Sequence, residues 1–293
     1  MTLPVEAAVC EDPAERWEGR TREALAVSWG VPEVHLYERV GSTNDVARSL
    51  AAAGAAAGTV VLADEQTAGR GREGRSWSSP AGLGIWLSLI LRPQALPAPG
   101  LLPLRVGLAA SRALDAYAAP GLVQVKWPND LCLAGRKLGG ILCEASWKGD
   151  HLAFMVVGIG INVGHAPDDF PAEIRERATS LRIAAGWSPA RDEVAGALVR
   201  GVSTLAGESA ALLGAAELEE LGRRDPLRGR AVEVVGAERA TGVVMRVTPE
   251  GELLVRSSSG VLRRYRSGTV RLLPSALAGT EPGTPSTTDP LER

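Results

Sequence analysis

Between Gln66 and Trp77 the chain reads Gln-Thr-Ala-Gly-Arg-Gly-Arg-Glu-Gly-Arg-Ser-Trp, setting Gly69, Gly71 and Gly74 against Arg70, Arg72 and Arg75 with an aromatic ring close behind. Glycine lets successive backbone N–H groups turn toward one point, guanidinium groups grip phosphate or carboxylate in a two-pronged fork, and an indole face stacks on a heterocycle. The combination predicts a loop that holds a nucleotide; a solvated, charged surface loop is the plain alternative. The glycines also fit the dinucleotide pattern G-x-G-x-x-G. That pattern needs a helix directly behind its last glycine, whereas Ser76-Trp77-Ser78-Ser79-Pro80-Ala81-Gly82 breaks helices. No Gly-Lys-Ser/Thr follows, which excludes a P-loop.

A second constellation is Lys126-Trp127-Pro128-Asn129-Asp130. Proline favours an extended backbone at Trp127, so Lys126, Asn129 and Asp130 are expected at a strand end where their polar heads converge. From spacing alone a hairpin with a surface Asn-Asp turn reads equally well. Seven residues on comes Lys137, followed by Gly139-Gly140, a bare strand surface against which a ligand can lie. Gly158-Ile159-Gly160-Ile161-Asn162 closes a later strand in the same style, where glycine alone signals no more than a bulge. Only Lys126, Lys137 and Lys148 of the 32 basic residues are lysines, which suits sites needing a compact ammonium rather than a planar fork.

No nucleophile and base stand at a working spacing. His35, His151 and His165 lie outside both motifs, and neither a G-x-S-x-G elbow nor an H-x-x-x-H or H-x-E metal spacing occurs. A reaction in which the substrate's own carboxylate attacks a phosphate needs neutralised charge and alignment, not an enzyme nucleophile.

These residues need a scaffold. A helix is expected around 12–29, a strand at 34–40, and a helix opened by Ser42 with Asp45 completing a capping box and running to about Gly54. Buried strands at 59–63 and 85–91 flank the Gly/Arg loop, and 101–117 has helical periodicity ending before Pro120-Gly121. The runs 123–127, 131–133, 138–147 and 152–162 read as an antiparallel meander, so the sheet is mixed. Ser188-Pro189 is expected to cap and open a long helix toward Leu213, with a short one at 216–221. From 229 to 273 short β-rich runs alternate with glycine turns, suggesting a small barrel, and the Gly-, Pro-, Ser- and Thr-rich end is expected to be a disordered tail.

Composition bounds the class. A chain of 293 residues with 45% apolar side chains buries a substantial core, and a formal net charge of -2 gives no global field for nucleic acid or membrane. The start lacks a signal-peptide pattern and no apolar run spans a bilayer, so a cytoplasmic location is expected. Cys10, Cys132 and Cys143 show no disulfide or zinc spacing.

Ser42-Thr43-Asn44, Gln66 through Trp77, Lys126 to Asp130, Arg136-Lys137-Leu138-Gly139-Gly140-Ile141-Leu142 with Glu144, and Gly158 to Asn162 together resemble, in order, the segments of the biotin protein ligases. The resemblance spans about residues 34–273. It implies an α+β fold: a mixed, mostly antiparallel sheet with helices, similar to the catalytic core of class II aminoacyl-tRNA synthetases, then an SH3-like small β-barrel. The implied division is an extension over 1–33, a catalytic unit over 34–226, the barrel over 227–273 and the tail over 274–293.

The resemblance implies that biotin and ATP, with Mg2+, give biotinoyl-5′-AMP, and that a lysine of a biotin carboxyl carrier domain then takes the biotinoyl group. Carried over residue by residue, Ser42, Thr43, Asn44, Gln66 and Arg70 resemble the biotin contacts, with Gly69, Gly71 and Arg72 around the carboxylate and Gly140 and Gly158 admitting the bicyclic ring. Arg72, Arg75, Trp77, Asn129, Lys137 and Asn162 are the implied nucleotide contacts. Lys137, Arg72 and Asp130 are the implied catalytic group, Lys137 also touching biotin and Asp130 binding Mg2+. The first 33 residues lack the length and basic helix pair of a DNA reader, so no DNA partner and no repressor activity are expected, and the small net charge with no bilayer-length apolar run gives no expectation of a membrane partner. Glu73 departs from the cationic character of its loop and is expected to weaken retention of the acyl-adenylate. A lipoate or octanoate transferase of similar fold is the alternative; a flexible acyl chain has no need of ureido donors.

Overall fold

The run Gly84–Leu91 is buried at every position, and such a strand must be covered on both faces. In the computed structural model, which describes residues 11–93, 98–118, 123–207, 209–236 and 239–274, it lies inside an eight-stranded sheet. In chain order the elements are β1 (Asp12–Pro13), β2 (Arg16–Trp17), β3 (Arg20–Thr21), α1 (Arg22–Trp29), β4 (Val34–Val40), α2 (Thr43–Ala52), β5 (Val60–Gln66) and β6 (Gly84–Leu91). There follow α3 (Leu102–Asp115), β7 (Gln124–Lys126), β8 (Asp130–Leu133), β9 (Arg136–Lys148), β10 (His151–Asn162), α4 (Leu181–Ala185), α5 (Arg191–Ser203) and α6 (Ala215–Arg224). The chain then forms β11 (Ala231–Val235), β12 (Arg239–Val247), β13 (Leu253–Arg256), β14 (Leu262–Tyr265) and β15 (Thr269–Leu272).

The large sheet has the order β1-β4-β5-β6-β10-β9-β8-β7. β4 and β5 run parallel and the other pairs antiparallel, so the sheet is mixed and the meander from β7 to β10 is present. α2 covers one face, where Val46, Ala47 and Ala51 pack on Val61, Ala63, Ile90 and Val156. α1, α3 and α5 cover the other, through Leu25, Leu108, Val194 and Leu198 on Leu87 and Leu89.

Two helices expected from sequence are shorter. Over 12–29 only Arg22–Trp29 is helical, because Glu18 and Gly19, at φ 48° and 74°, turn the chain into the β2–β3 hairpin, and Thr21 then accepts from Ala24 N as the N-cap. Trp17, Leu25 and Trp29 lie in the same core as the large sheet. The helix expected from Ser188 begins at Arg191, since Ala190 is extended (φ -62°, ψ 126°) and occupies the N-cap. It ends at Ser203, where the chain tightens into a 3-10 turn over Thr204–Gly207. The expected tail beyond Pro274 and the helix stop at Pro120-Gly121 lie outside the described residues.

The C-terminal strands form an antiparallel sheet of order β14-β13-β12-β11-β15. Its inner residues Val232, Val234, Leu253 and Val255 are continuous with the main core. Trp127 Nε1 donates to Gly251 O at 2.9 Å, and a β-carbon on Gly251 would lie 2.5 Å from Leu101, so this corner requires glycine. That docking brings Gly268, Thr269 and Val270 to the Gly/Arg loop.

Asp225 ends α6 ahead of the C-terminal sheet and accepts from Leu227 N at 2.8 Å. Burial raises its carboxyl to about 6. The folded protein therefore holds this proton where the unfolded chain has released it. The protonated form's advantage is complete below the unfolded value of 3.8 and is lost as pH rises toward 6. Asp225→Asn keeps the acceptor without the charge and is expected to gain about 1–2 kcal/mol at pH 7, with a flatter stability profile between pH 4 and 7. Urea denaturation at several pH values measures both.

Candidate functional site

One pocket gathers the motifs. It lies on the sheet face that carries α2, at the N-terminus of that helix, with the Gly/Arg loop on one side and Gly268–Val270 on another. Register explains its flat floor. Ser88, Gly158 and Leu142 are cross-strand neighbours, as are Trp86, Gly160 and Gly140 two residues along, so three glycines share one face.

Two of those glycines seat side chains of the protein itself. A β-carbon on Gly158 would fall 2.2 Å from Asn44 Oδ1, and one on Gly160 would fall 2.7 Å from Trp77 Nε1. Gly140 is different: its nearest neighbour would be Trp77 Cζ3 at 3.5 Å, an ordinary contact. Gly69 lies behind the pocket wall, where a β-carbon would collide with Trp77 O at 2.5 Å and Ser79 Oγ at 2.8 Å, so this glycine lets the loop fold back on itself.

The end nearest α2 is polar and uncharged. Gln66 Oε1 accepts from Thr43 N at 2.9 Å and Thr43 Oγ1 at 3.1 Å, while Gln66 Nε2 donates to Ser79 Oγ at 2.8 Å. Ser88 Oγ lies 2.8 Å from Thr43 Oγ1 and 2.6 Å from Asn44 Oδ1, and Asn44 Nδ2 donates to Glu144 at 2.7 Å. Ser42, Thr43 and Asn44 are all buried. Ser42 occupies the N-cap of α2, yet its hydroxyl makes no cap bond and no capping box forms, because Asp45 turns to Arg48 and Arg70 instead.

Arg70 is committed to the protein. Its guanidinium bonds Asp45 at 2.8 Å and Glu144 at 3.4 Å, pinning the loop to α2 and β9. Two carboxylates thus hold its guanidinium as a loop anchor, and Arg70 lines the pocket as expected for a ligand contact.

The other end is cationic. Lys137 Nζ lies 2.6 Å from Asp130 Oδ1 and 5.1 Å from the centre of the Trp77 ring. Asn129 is locked to β9, donating to Ile141 O at 2.7 Å and accepting from Ile141 N at 3.0 Å, which leaves its Oδ1 3.5 Å from Arg72 Nη1. Lys126 and Arg75 complete the cationic lining, so four cations face Asp130 and the nearby Glu73. Trp77 packs edge-on to Trp86 with centroids 6.4 Å apart, and its Nε1 has no hydrogen-bond partner.

Of the residues singled out from sequence, Asn162, like Gly69, stands outside the pocket lining. It is buried, its amide donates to Thr179 O at 2.9 Å, and it does not line the pocket. As the last residue of β10 it fastens the strand to the chain ahead of α4. Lys126, Gly160 and the Gly268–Val270 segment line the pocket without having been assigned. Lys126 was readable from its motif, whereas the segment carries no local signal. His165 is structural, stacked on Phe170 at 4.7 Å, and burial lowers its imidazole to about 4.

Among the described residues no group of three or more His, Cys, Asp or Glu is placed to hold a metal ion. Asp130 is one carboxylate with one oxygen already held by Lys137. That donor set fits Mg2+ arriving with phosphates and its own waters, since this ion is commonly held by one or two carboxylates.

Three comparisons bear on this geometry. The family model described as the biotin/lipoate A/B protein ligase family matches residues 36–162. The chain is 45% identical over 148 residues to the bifunctional ligase/repressor BirA of Bacillus spizizenii, covering 50% of this chain and 45% of that one. It is 37% identical over 183 residues to the biotin–[acetyl-CoA-carboxylase] ligase of Mycobacterium tuberculosis, covering 61% of this chain and 65% of that one. It thus spans about half to two thirds of the length of these curated relatives. The solved structure of the biotin protein ligase from Aquifex aeolicus in complex with biotin and ATP superposes with a TM-score of 0.69 at 30% identity, covering 82% of this chain and 98% of that chain.

Proposed function

Because the chain belongs to the biotin/lipoate A/B protein ligase family, and within it to the biotin protein ligases, we propose that it activates biotin with ATP and passes the biotinoyl group to a lysine of a carboxyl carrier domain. The observation that carries this reading is the polarity of the pocket. An uncharged hydrogen-bonding end, Ser42 to Asn44 with Gln66, lies across the glycine floor from a cationic end at Lys137 and Arg72. A ureido ring with an acid tail spans such a gradient, the ring at the neutral end and the carboxylate at the lysine.

In the first step a biotin carboxylate oxygen attacks the α-phosphorus of ATP. The bond to the bridging oxygen of the β-phosphate breaks, and pyrophosphate leaves with the electron pair. Two unit charges 4 Å apart repel by about 4 kcal/mol at an effective dielectric of about 20, so cations between them lower the barrier directly. Lys137 is the point charge for the reacting oxygens, oriented by Asp130 and the Trp77 face. Arg72, steadied by Asn129, and Arg75 serve the phosphates, with Gly71 contributing its backbone beside them. Asp130 would hold Mg2+, which supplies charge neutralisation on the phosphates. In the second step the neutral acceptor amine attacks the acyl carbon, AMP leaves, and the amine proton goes to solvent.

Residues 34–226 are proposed as the catalytic unit and 227–273 as a C-terminal unit that completes its pocket wall. The decisive test is exchange of labelled pyrophosphate into ATP, which is expected to depend on biotin. Exchange supported equally by lipoate or octanoate would favour an acyl-chain ligase, and none with any acid would overturn the ligase reading.

A further inference from the structure

Glu73 is the one loop residue that the cationic reading leaves without a task. Its carboxylate lies 3.5 Å from Arg75 Nη2 and 4.0 Å from Arg72 Nη2, and it accepts from Thr269 Oγ1, across from the C-terminal sheet, at 3.4 Å. Its backbone is left-handed (φ 58°, ψ 34°), a conformation that disfavours residues with a β-carbon and that asparagine tolerates better than glutamate. Each contact is long, but they converge from both arginines and from a strand 196 residues away.

We propose that Glu73 is a resident counter-charge of the nucleotide loop: it neutralises Arg72 and Arg75 and ties the loop to Thr269 in the empty protein, and nucleotide phosphate must displace it. The inference rests on the reading above of those arginines as phosphate ligands. It makes Glu73 a positioning residue that lowers nucleotide affinity and ties the loop to the C-terminal sheet, so that the pocket trades tight retention for an ordered entrance. Gly71 N donates to Arg75 O at 2.7 Å and Trp77 N to Gly69 O at 2.8 Å, so the loop is already a closed turn that one tether can hold.

The test uses the full chain, Glu73→Asn and Thr269→Val. ATP with Mg2+ is titrated into each, alone and with the alcohol analogue of biotin, which lacks the attacking carboxylate. Amide exchange over residues 70–76 is followed without nucleotide. Glu73→Asn removes two partly exposed ion pairs and is expected to bind ATP about three- to tenfold more tightly at low salt, the gain shrinking near 1 M salt. Its loop amides should exchange faster when empty. Thr269→Val should likewise speed exchange of the empty loop's amides, because the tether to the C-terminal sheet is lost while the counter-charge remains. Unchanged or weaker ATP binding in Glu73→Asn, with wild type binding normally, overturns the proposal alone. If wild type binds no ATP even with the alcohol analogue, the ligase reading falls with it.

Discussion

Lys137→Arg is expected to lower biotin-dependent pyrophosphate exchange by about 100-fold or more while keeping the fold and the charge. Removal of one preorganised group at a developing charge commonly costs two to three orders of magnitude. The substitution tests shape, not sign. Lys137 Nζ sits 2.6 Å from Asp130 and 5.1 Å from the Trp77 ring centre, a slot for a compact ammonium. A planar guanidinium would pair with Asp130 through two nitrogens, stack on the indole and leave no donor at the reacting oxygens. The loss should appear in kcat for exchange, with biotin binding by calorimetry reduced far less. Exchange within threefold of wild type would remove Lys137 from the chemistry.

Gly158→Ala should be the most damaging single-methyl change in the pocket. The added carbon would stand 2.2 Å from Asn44 Oδ1, and Asn44 has nowhere to go: Ser88 holds that oxygen at 2.6 Å and Glu144 holds its nitrogen at 2.7 Å. Glu144 also holds Arg70, so the collision passes into the anchor of the Gly/Arg loop. Overpacking of this kind costs about 1–3 kcal/mol. Thermal unfolding should drop by several degrees and biotin affinity by about tenfold or more. Gly140→Ala is the internal control, since its new carbon meets Trp77 at an ordinary 3.5 Å, and its melting temperature should stay close to wild type. Equal effects of the two substitutions would mean that the floor, not the Asn44 network, sets the cost.

Much of this site is legible in the chain because residue type alone fixes charge and donor capacity. Three arginines among three glycines read as an anion loop, and Lys126, Asn129 and Asp130 read as polar heads at a strand end, which is where the turn from β7 to β8 puts them. The strands were readable for a similar reason: β6 and β10 are apolar runs whose burial follows from their composition. Local context misled where a neighbour competed. Ser188-Pro189 reads as a helix start, but Ala190 stays extended as the N-cap and the helix waits for Arg191. Ser42 looked like a cap with Asp45 as its box partner, but Asp45 found two arginines.

By itself, then, the order of residues determined which functional groups exist and, for the most part, in which strands and loops they lie. Only the packed chain decided how each group spends its bonds. It gave the Arg70 charge to Asp45 and Glu144, turned Asn162 toward Thr179, reserved Gly158 and Gly160 for Asn44 and Trp77, and brought Thr269 to Glu73. The reason is physical: a charge or an amide takes whichever partner lies nearest in three dimensions, and these partners are separated by 17 to 196 residues of chain.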